Sequence, residues 1–170
     1  MKDKILNIAG LVKESIVDGP GIRLVVFAQG CVHHCEGCHN PHTHSFDGGR
    51  EVTVGEIIDM TKKNPLLDGI TLSGGEPFEQ AEVFAGLATE AKKAGLNVFT
   101  YTGYTFEELR MHADKRKGWQ ELLSSSDYVV DGKYEPAKKN MFLKFRGSEN
   151  QRIINVPQSL KKNTVVIADI

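Results

Sequence analysis

The sequence predicts an α/β fold built mainly on parallel strands, and three observations carry that prediction. Short apolar runs alternate with helical patterns along the chain. Four of the runs lead directly into residues suited to chemistry: Gly30-Cys31, Ser73-Gly74-Gly75-Glu76, Thr102-Gly103-Tyr104 and Asp131-Gly132. No repeat, low-complexity tract or linker interrupts the 170 residues, so one domain spanning 1–170 is expected. In parallel α/β sheets functional groups gather at the carboxyl ends of the strands. The four motifs are therefore expected to share one site.

The elements follow in order. Arg23-Leu24-Val25-Val26-Phe27-Ala28 is a short apolar run and predicts a strand. Residues 31–50 lack periodicity and predict a loop. Thr53 and Glu56 have capping-box spacing, so a helix begins there, with Ile57, Ile58 and Thr61 on one face and Pro65 as its stop. Gly69-Ile70-Thr71-Leu72-Ser73 predicts the next strand, and Pro77 the opening of the next helix. Val83, Leu87, Ala91 and Ala94 recur at helical spacing, and Gly95 suits the left-handed C′ position. Leu96-Asn97-Val98-Phe99-Thr100-Tyr101 is a further strand. Thr105 and Glu108 cap a short helix, and Trp119, Leu122 and Leu123 mark another. Tyr128 to Asp131, Arg152 to Val156 and Thr164 to Ile167 complete the predicted strands.

Composition excludes some functions. The formal net charge is -1, so no basic field points to nucleic acid. Residues 1–7 lack the apolar stretch of a signal peptide, and no run is long enough to span a bilayer. A soluble, cytoplasmic protein is expected.

All three cysteines lie between positions 31 and 38, in the spacing C-x3-C-x2-C. Such crowding is a poor disulfide framework, and disulfides are rare in reducing compartments. It points to a metal, a cluster or redox thiols. Three thiolates can hold three irons of a cubane and leave the fourth open to a substrate, where electron carriers commonly use four cysteines. Zinc is the main rival, because five of the six histidines lie at 33, 34, 39, 42 and 44 and a Cys3His site needs one of them. Cys35-Glu36-Gly37-Cys38-His39 also matches the haem-attachment pattern C-x-x-C-H. Metal-free redox thiols are the third alternative.

C-x3-C-x2-C after one strand and Gly74-Gly75-Glu76-Pro77 after the next resemble the radical S-adenosylmethionine (SAM) superfamily. Many members carry an aromatic residue before the third cysteine. Gly37 stands there in this chain, as it often does in the activases of anaerobic ribonucleotide reductase. Val17-Asp18-Gly19-Pro20-Gly21-Ile22-Arg23, Cys38-His39-Asn40, Tyr101-Thr102-Gly103-Tyr104, Val130-Asp131-Gly132-Lys133-Tyr134 and Phe145-Arg146-Gly147-Ser148-Glu149-Asn150-Gln151-Arg152 are similar to segments of those activases, in the same order.

The resemblance implies an open partial (β/α) barrel and an oxidoreductase that uses a [4Fe-4S] cluster and SAM to make a glycyl radical. Cys31, Cys35 and Cys38 are then the cluster ligands. Ser73, Gly74, Gly75 and Glu76 are the foremost expected SAM contacts, and Thr102, Gly103 and Asp131 are further ones. Glycines let backbone approach a ligand, while Glu76 either adds charge or only holds its loop. Arg146, Ser148, Asn150 and Gln151 are expected to contact SAM or shape a peptide entrance. The implied partner is the large subunit of anaerobic ribonucleoside-triphosphate reductase, with reduced flavodoxin as electron donor. Pyruvate formate-lyase or another glycyl-radical enzyme is the alternative protein substrate. A small-molecule radical SAM enzyme, such as carboxy-deazaguanine synthase, and a zinc-stabilised binding module are the remaining readings.

Overall fold

A computed structural model describes residues 2–170. Seven strands form one sheet: β1 (Ile5–Ser15), β2 (Arg23–Ala28), β3 (Arg50–Thr53), β4 (Gly69–Gly74), β5 (Asn97–Tyr101), β6 (Tyr128–Asp131) and β7 (Arg152–Asn155). Their spatial order is β3-β1-β2-β4-β5-β6-β7, an open sheet with β3 and β7 at the edges. The centre is parallel as expected, with β2, β4, β5 and β6 in that order. The flanking pairs β1–β2, β1–β3 and β6–β7 are antiparallel.

Period-two alternation sorts the strand side chains onto two faces. Leu72, Val98, Val129 and Ile154 turn toward the helices and form the main core. The helices are α1 (Val54–Lys62), α2 (Ala81–Lys93), α3 (Phe106–His112), α4 (Trp119–Ser125) and α5 (Val156–Lys162). Phe99, Val130 and Ile153 sit apart in a second cluster with Tyr101, Tyr128 and Phe145. That face carries no helix partner, and the functional cavity opens at its end. No described helix is long and apolar enough to cross a membrane.

Local signals hold where the interaction is short-range. Both arms of the Thr53–Glu56 capping box form, at 3.1 and 2.8 Å. Thr105 accepts from the Glu108 N–H, and Gly95 has φ +85°. Several expectations need correction. The strand β1 was not predicted, although Leu6 and Ile8 alternate inward along it. β3 fills the gap between the loop expected over 31–50 and the helix expected from Thr53; only Val52 of its four residues is buried, so it carries little apolar pattern. α1 stops at Lys62, before Pro65 can act as its breaker. Pro77 opens a 3-10 turn, and α2 starts only at Ala81, because the Gln80 side chain turns away to bond Asn7 and Gln29. Thr164 to Ile167 is not a strand. It runs beside β7 with a single bridge, Ile154 to Ile167, and leaves Ile167 largely exposed.

The unhelical face is closed from below by the connection between β1 and β2. Arg23 is fully buried there. Its guanidinium donates to the Thr71 hydroxyl (2.7 Å), the Pro20 carbonyl (2.8 Å) and the Ile70 carbonyl (2.7 Å). Thr71 in turn donates to the Asp18 carbonyl. Burial lowers the Arg23 pKa to about 10, and no carboxylate touches it. One buried cation thus ties the segment 16–21 to the sheet. Buried charges persist only when their hydrogen-bonding capacity is met, and here carbonyls and a hydroxyl meet it.

Candidate active site

A cavity of about 370 Å³ lies at the carboxyl ends of the parallel strands, within the usual size of a ligand pocket. Cys31, Cys35 and Cys38 line it from the loop after β2. Ser73, Gly74 and Gly75 line it from the end of β4, and Thr102 and Gly103 from the end of β5. All four motifs predicted from strand ends contribute to the cavity lining. From the fourth, Gly132 lines the cavity and Asp131 does not.

The loops after β2 and β4 are joined backbone to backbone. The Gly75 N–H donates to the Ala28 carbonyl at 2.9 Å and the Glu76 N–H to the Gly30 carbonyl at 2.8 Å. This approach needs glycine. A Cβ on Gly75 would lie 2.3 Å from the Gly30 oxygen, and one on Gly74, at φ +107°, 2.3 Å from the Ala28 nitrogen. The cluster loop and the β4 loop are consequently one unit.

Glu76 completes that unit from behind. It is 1% exposed. Its carboxylate accepts from the Phe78 N–H (3.1 Å), the Thr102 hydroxyl (2.9 Å), the Gly103 N–H (2.8 Å) and His33 Nε2 (2.7 Å). Three segments, after β2, β4 and β5, are thus clasped by one side chain. Glu76 does not line the cavity, so of its two expected roles the structure displays the loop-holding one. Asp131 behaves similarly. It accepts from the Phe106 N–H at the start of α3 and from Arg152, whose Nη2 also reaches Glu107.

All three thiols are free and border the cavity. Burial pushes the Cys31 and Cys35 thiols up, so a thiolate there needs positive charge beside it. The Asn40 N–H points at the Cys38 sulfur at 3.4 Å, a second-sphere contact of the kind that tunes cluster potential. Among the described residues no three His, Cys, Asp or Glu side chains converge tightly enough for a single metal ion. Of the nearby histidines, His33 bonds Glu76 through Nε2, His34 packs against His44 at 4.9 Å between ring centres, and His39 against Tyr134 at 4.9 Å.

The opposite wall is less complete. His44 Nε2 and Arg146 Nε are buried without a hydrogen-bond partner, and both residues line the cavity. Arg146 is held only through Nη1, which donates to the Gln151 carbonyl. Gln151 accepts from the Gly147 and Ser148 N–H groups and donates to the Gly132 carbonyl. Buried polar atoms without partners are rare and need an explanation. A ligand with acceptor groups supplies one, and a cubane held by three thiols beside a loop of backbone polar groups fits this donor set.

Val17, Asp18, Lys133, Leu143 and His33 line the cavity in addition to the expected site residues; the first three lie in segments similar to the activases, whereas Leu143 carried no signal. His33 entered the sequence reading only as one of five candidate zinc ligands. Its signal was its place two residues after Cys31, but its partner lies 43 positions away.

The model of the 4Fe-4S single cluster domain matches residues 17–154. The anaerobic ribonucleoside-triphosphate reductase-activating protein of Enterobacteria phage T4 is 34% identical over 146 residues, covering 81% of this chain and 86% of that protein. The pyruvate formate-lyase-activating enzyme of Clostridium pasteurianum is 40% identical over 108 residues, covering 58% of this chain and 45% of that enzyme. The crystal structure of QueE from Escherichia coli aligns with 59% of this chain and 54% of its own, with a TM-score of 0.47 at 15% identity, too loose to carry an argument. With its cysteines, glycine loop and near full-length similarity in agreement, this chain belongs to the 4Fe-4S single cluster domain family and, within it, to the anaerobic ribonucleoside-triphosphate reductase-activating proteins.

Proposed function

We propose that this chain cleaves SAM reductively at a [4Fe-4S] cluster held by Cys31, Cys35 and Cys38, and thereby generates a glycyl radical on anaerobic ribonucleoside-triphosphate reductase. One observation carries the reading. Three thiols and a glycine loop meet around one cavity, in a chain similar over 81% of its length to a protein named for activating that reductase. A cluster held by these three cysteines would supply the one-electron reduction that SAM cleavage needs, and SAM the hydrogen-abstracting group for a glycine α-carbon.

The chain's own residues bind, orient and shield. Cys31, Cys35 and Cys38 would hold the cluster with three protein ligands. Ser73, Gly74 and Gly75 would offer backbone polar groups to the amino-acid part of SAM, and Thr102 and Gly103 would border its adenosine part. Glu76 and Asp131 act through these loops as positioning residues. Arg146 Nε is a free donor for a carboxylate. Val17 and Leu143 give the mouth an apolar border that helps exclude water. The electron comes from an external carrier, for which reduced flavodoxin is the proposed donor.

A second reading, activation of pyruvate formate-lyase, is favoured by the 40% identity to the clostridial enzyme. That similarity spans under half of the enzyme, so the reductase is preferred. Electron paramagnetic resonance on anaerobic mixtures with SAM and dithionite separates the two. A glycyl doublet on the reductase is expected. A doublet on pyruvate formate-lyase alone would assign the second reading.

A further inference from the structure

Two apolar pairs project beside the cavity mouth. Ile16 and Val17, between β1 and β2, are 74% and 70% exposed, and Met141 and Phe142 are 84% and 97% exposed. Single exposed apolar residues are ordinary. These are paired, and each pair continues into the cavity lining through Val17 or Leu143.

Met141 and Phe142 cap an arm that spans 139–148. Lys139 and Ser148 bridge its base, and the Asn140 N–H donates to the Gly147 carbonyl at 3.2 Å. At the tip the Phe142 N–H donates to Asn140 Oδ1 at 2.9 Å. Phe145 takes a left-handed φ of +62°, places its ring 5.9 Å from that of Phe99, and accepts the Tyr101 hydroxyl proton on its carbonyl. A bulky residue takes that conformation only when its surroundings hold it there. The arm is therefore anchored to the inner face of the sheet while its most apolar side chain stands in solvent. A partner that covers such a side chain recovers the apolar burial that the free chain forgoes. Pre-organised aromatic anchors next to a pocket are the usual centres of protein–protein binding energy.

The surroundings state what kind of partner fits. From Lys133 to Glu149 there are five basic side chains (Lys133, Lys138, Lys139, Lys144 and Arg146) against two carboxylates (Glu135 and Glu149), in a chain of net charge -1. We infer that Met141 and Phe142 are the docking anchor for the protein substrate, gripping an extended segment that carries the reacting glycine and presents acidic side chains to the arm. This rests on the proposed function, because a glycine in a folded protein reaches the cavity floor only if its own chain passes the rim. Electrostatic complementarity sets the association rate, while the apolar contact sets the lifetime of the complex.

The test uses the full chain and the large subunit of anaerobic ribonucleoside-triphosphate reductase, with binding measured directly. The Met141→Ser/Phe142→Ser variant is expected to bind about 10–100-fold more weakly, by faster dissociation. Dithionite-driven 5′-deoxyadenosine formation without the reductase stays unchanged, which shows that the variant is folded and that its cavity is intact. Lys138→Glu/Lys139→Glu/Lys144→Glu should slow association and flatten its dependence on salt. A photo-crosslinking phenylalanine analogue at position 142 should label the glycine-bearing segment. Unchanged affinity in the apolar variant, absence of binding by the wild-type chain, or labelling elsewhere on the reductase would overturn the docking assignment. Failure of the wild-type chain to form 5′-deoxyadenosine would count against the proposed chemistry, and the binding measurement reads independently of it.

Discussion

The wall behind Ser73, Gly74 and Gly75 is hydrogen-bonded to completion, whereas the wall opposite leaves buried polar atoms without partners. Glu76 alone accepts four donors from three loops. His44 Nε2 and Arg146 Nε accept or donate nothing. The difference separates two jobs. A wall that is satisfied by its own chain holds its geometry before any ligand arrives, as pre-organised sites require. A wall with unmet polar atoms gains only when a ligand meets them, since each such atom costs about 1–3 kcal/mol.

The largest expected effect attacks the ligands themselves. Cys35→Ala leaves two thiols and should reduce reconstituted iron and sulfide together, with 5′-deoxyadenosine formation falling below detection. Retained activity would break the ligand assignment. Gly75→Ala comes next, because the new Cβ meets the Gly30 oxygen at 2.3 Å. The loops must part, and SAM affinity should fall at least about tenfold, or 1.4 kcal/mol, by equilibrium binding to the reconstituted protein.

The third pair sharpens the contrast between the walls. Glu76→Gln places an amide where two oxygens now accept, so ligand-free stability should fall by about 2–4 kcal/mol in urea unfolding. Arg146→Met removes one hydrogen bond and one orphan atom. It should cost no more than about 1 kcal/mol of ligand-free stability yet weaken SAM binding. If Arg146→Met destabilises as much as Glu76→Gln, the two walls are not different in kind. The smallest effect lies at the edge. The hydrogen bond from Arg152 lowers the Glu107 pKa, so its contribution is complete above the unfolded carboxylate value and is lost as pH falls through the lowered one. The urea midpoint should therefore drop slightly more steeply for wild type than for Glu107→Gln between pH about 6 and about 3.

Legibility in the sequence followed the range of the interaction. The capping box at Thr53, the Gly95 terminus and the cysteine spacing are local, and each was readable. β1 was not, because its alternation is broken by Ala9 and Gly10 and its two partners, β2 and β3, had to be known to recognise it. The end of the chain carries the reverse lesson. Thr164, Val165, Val166 and Ile167 have strand propensity, but β7 is only four residues long and the stretch meets it at a single bridge flanked by two backbone hydrogen bonds, too few to make a ladder. In the site, the ligand-bearing loops were readable because chemistry demands particular residues there. The His33–Glu76 clasp and the Tyr101–Phe145 anchor were not, since they join residues 43 and 44 positions apart. Glu76 shows the limit most clearly. Its position in the motif was legible, while its direction, away from the cavity, was set by Thr102 and Gly103 on another strand.

In the proposed mechanism, three thiols from one loop leave a cluster corner for SAM to occupy. Electron-nuclear double resonance on anaerobically reconstituted, reduced protein with SAM labelled by ¹⁵N at the amino group tests it directly. A hyperfine coupling from that nitrogen to the cluster is predicted. A cluster with four protein ligands, showing no coupling at saturating SAM, would contradict the account.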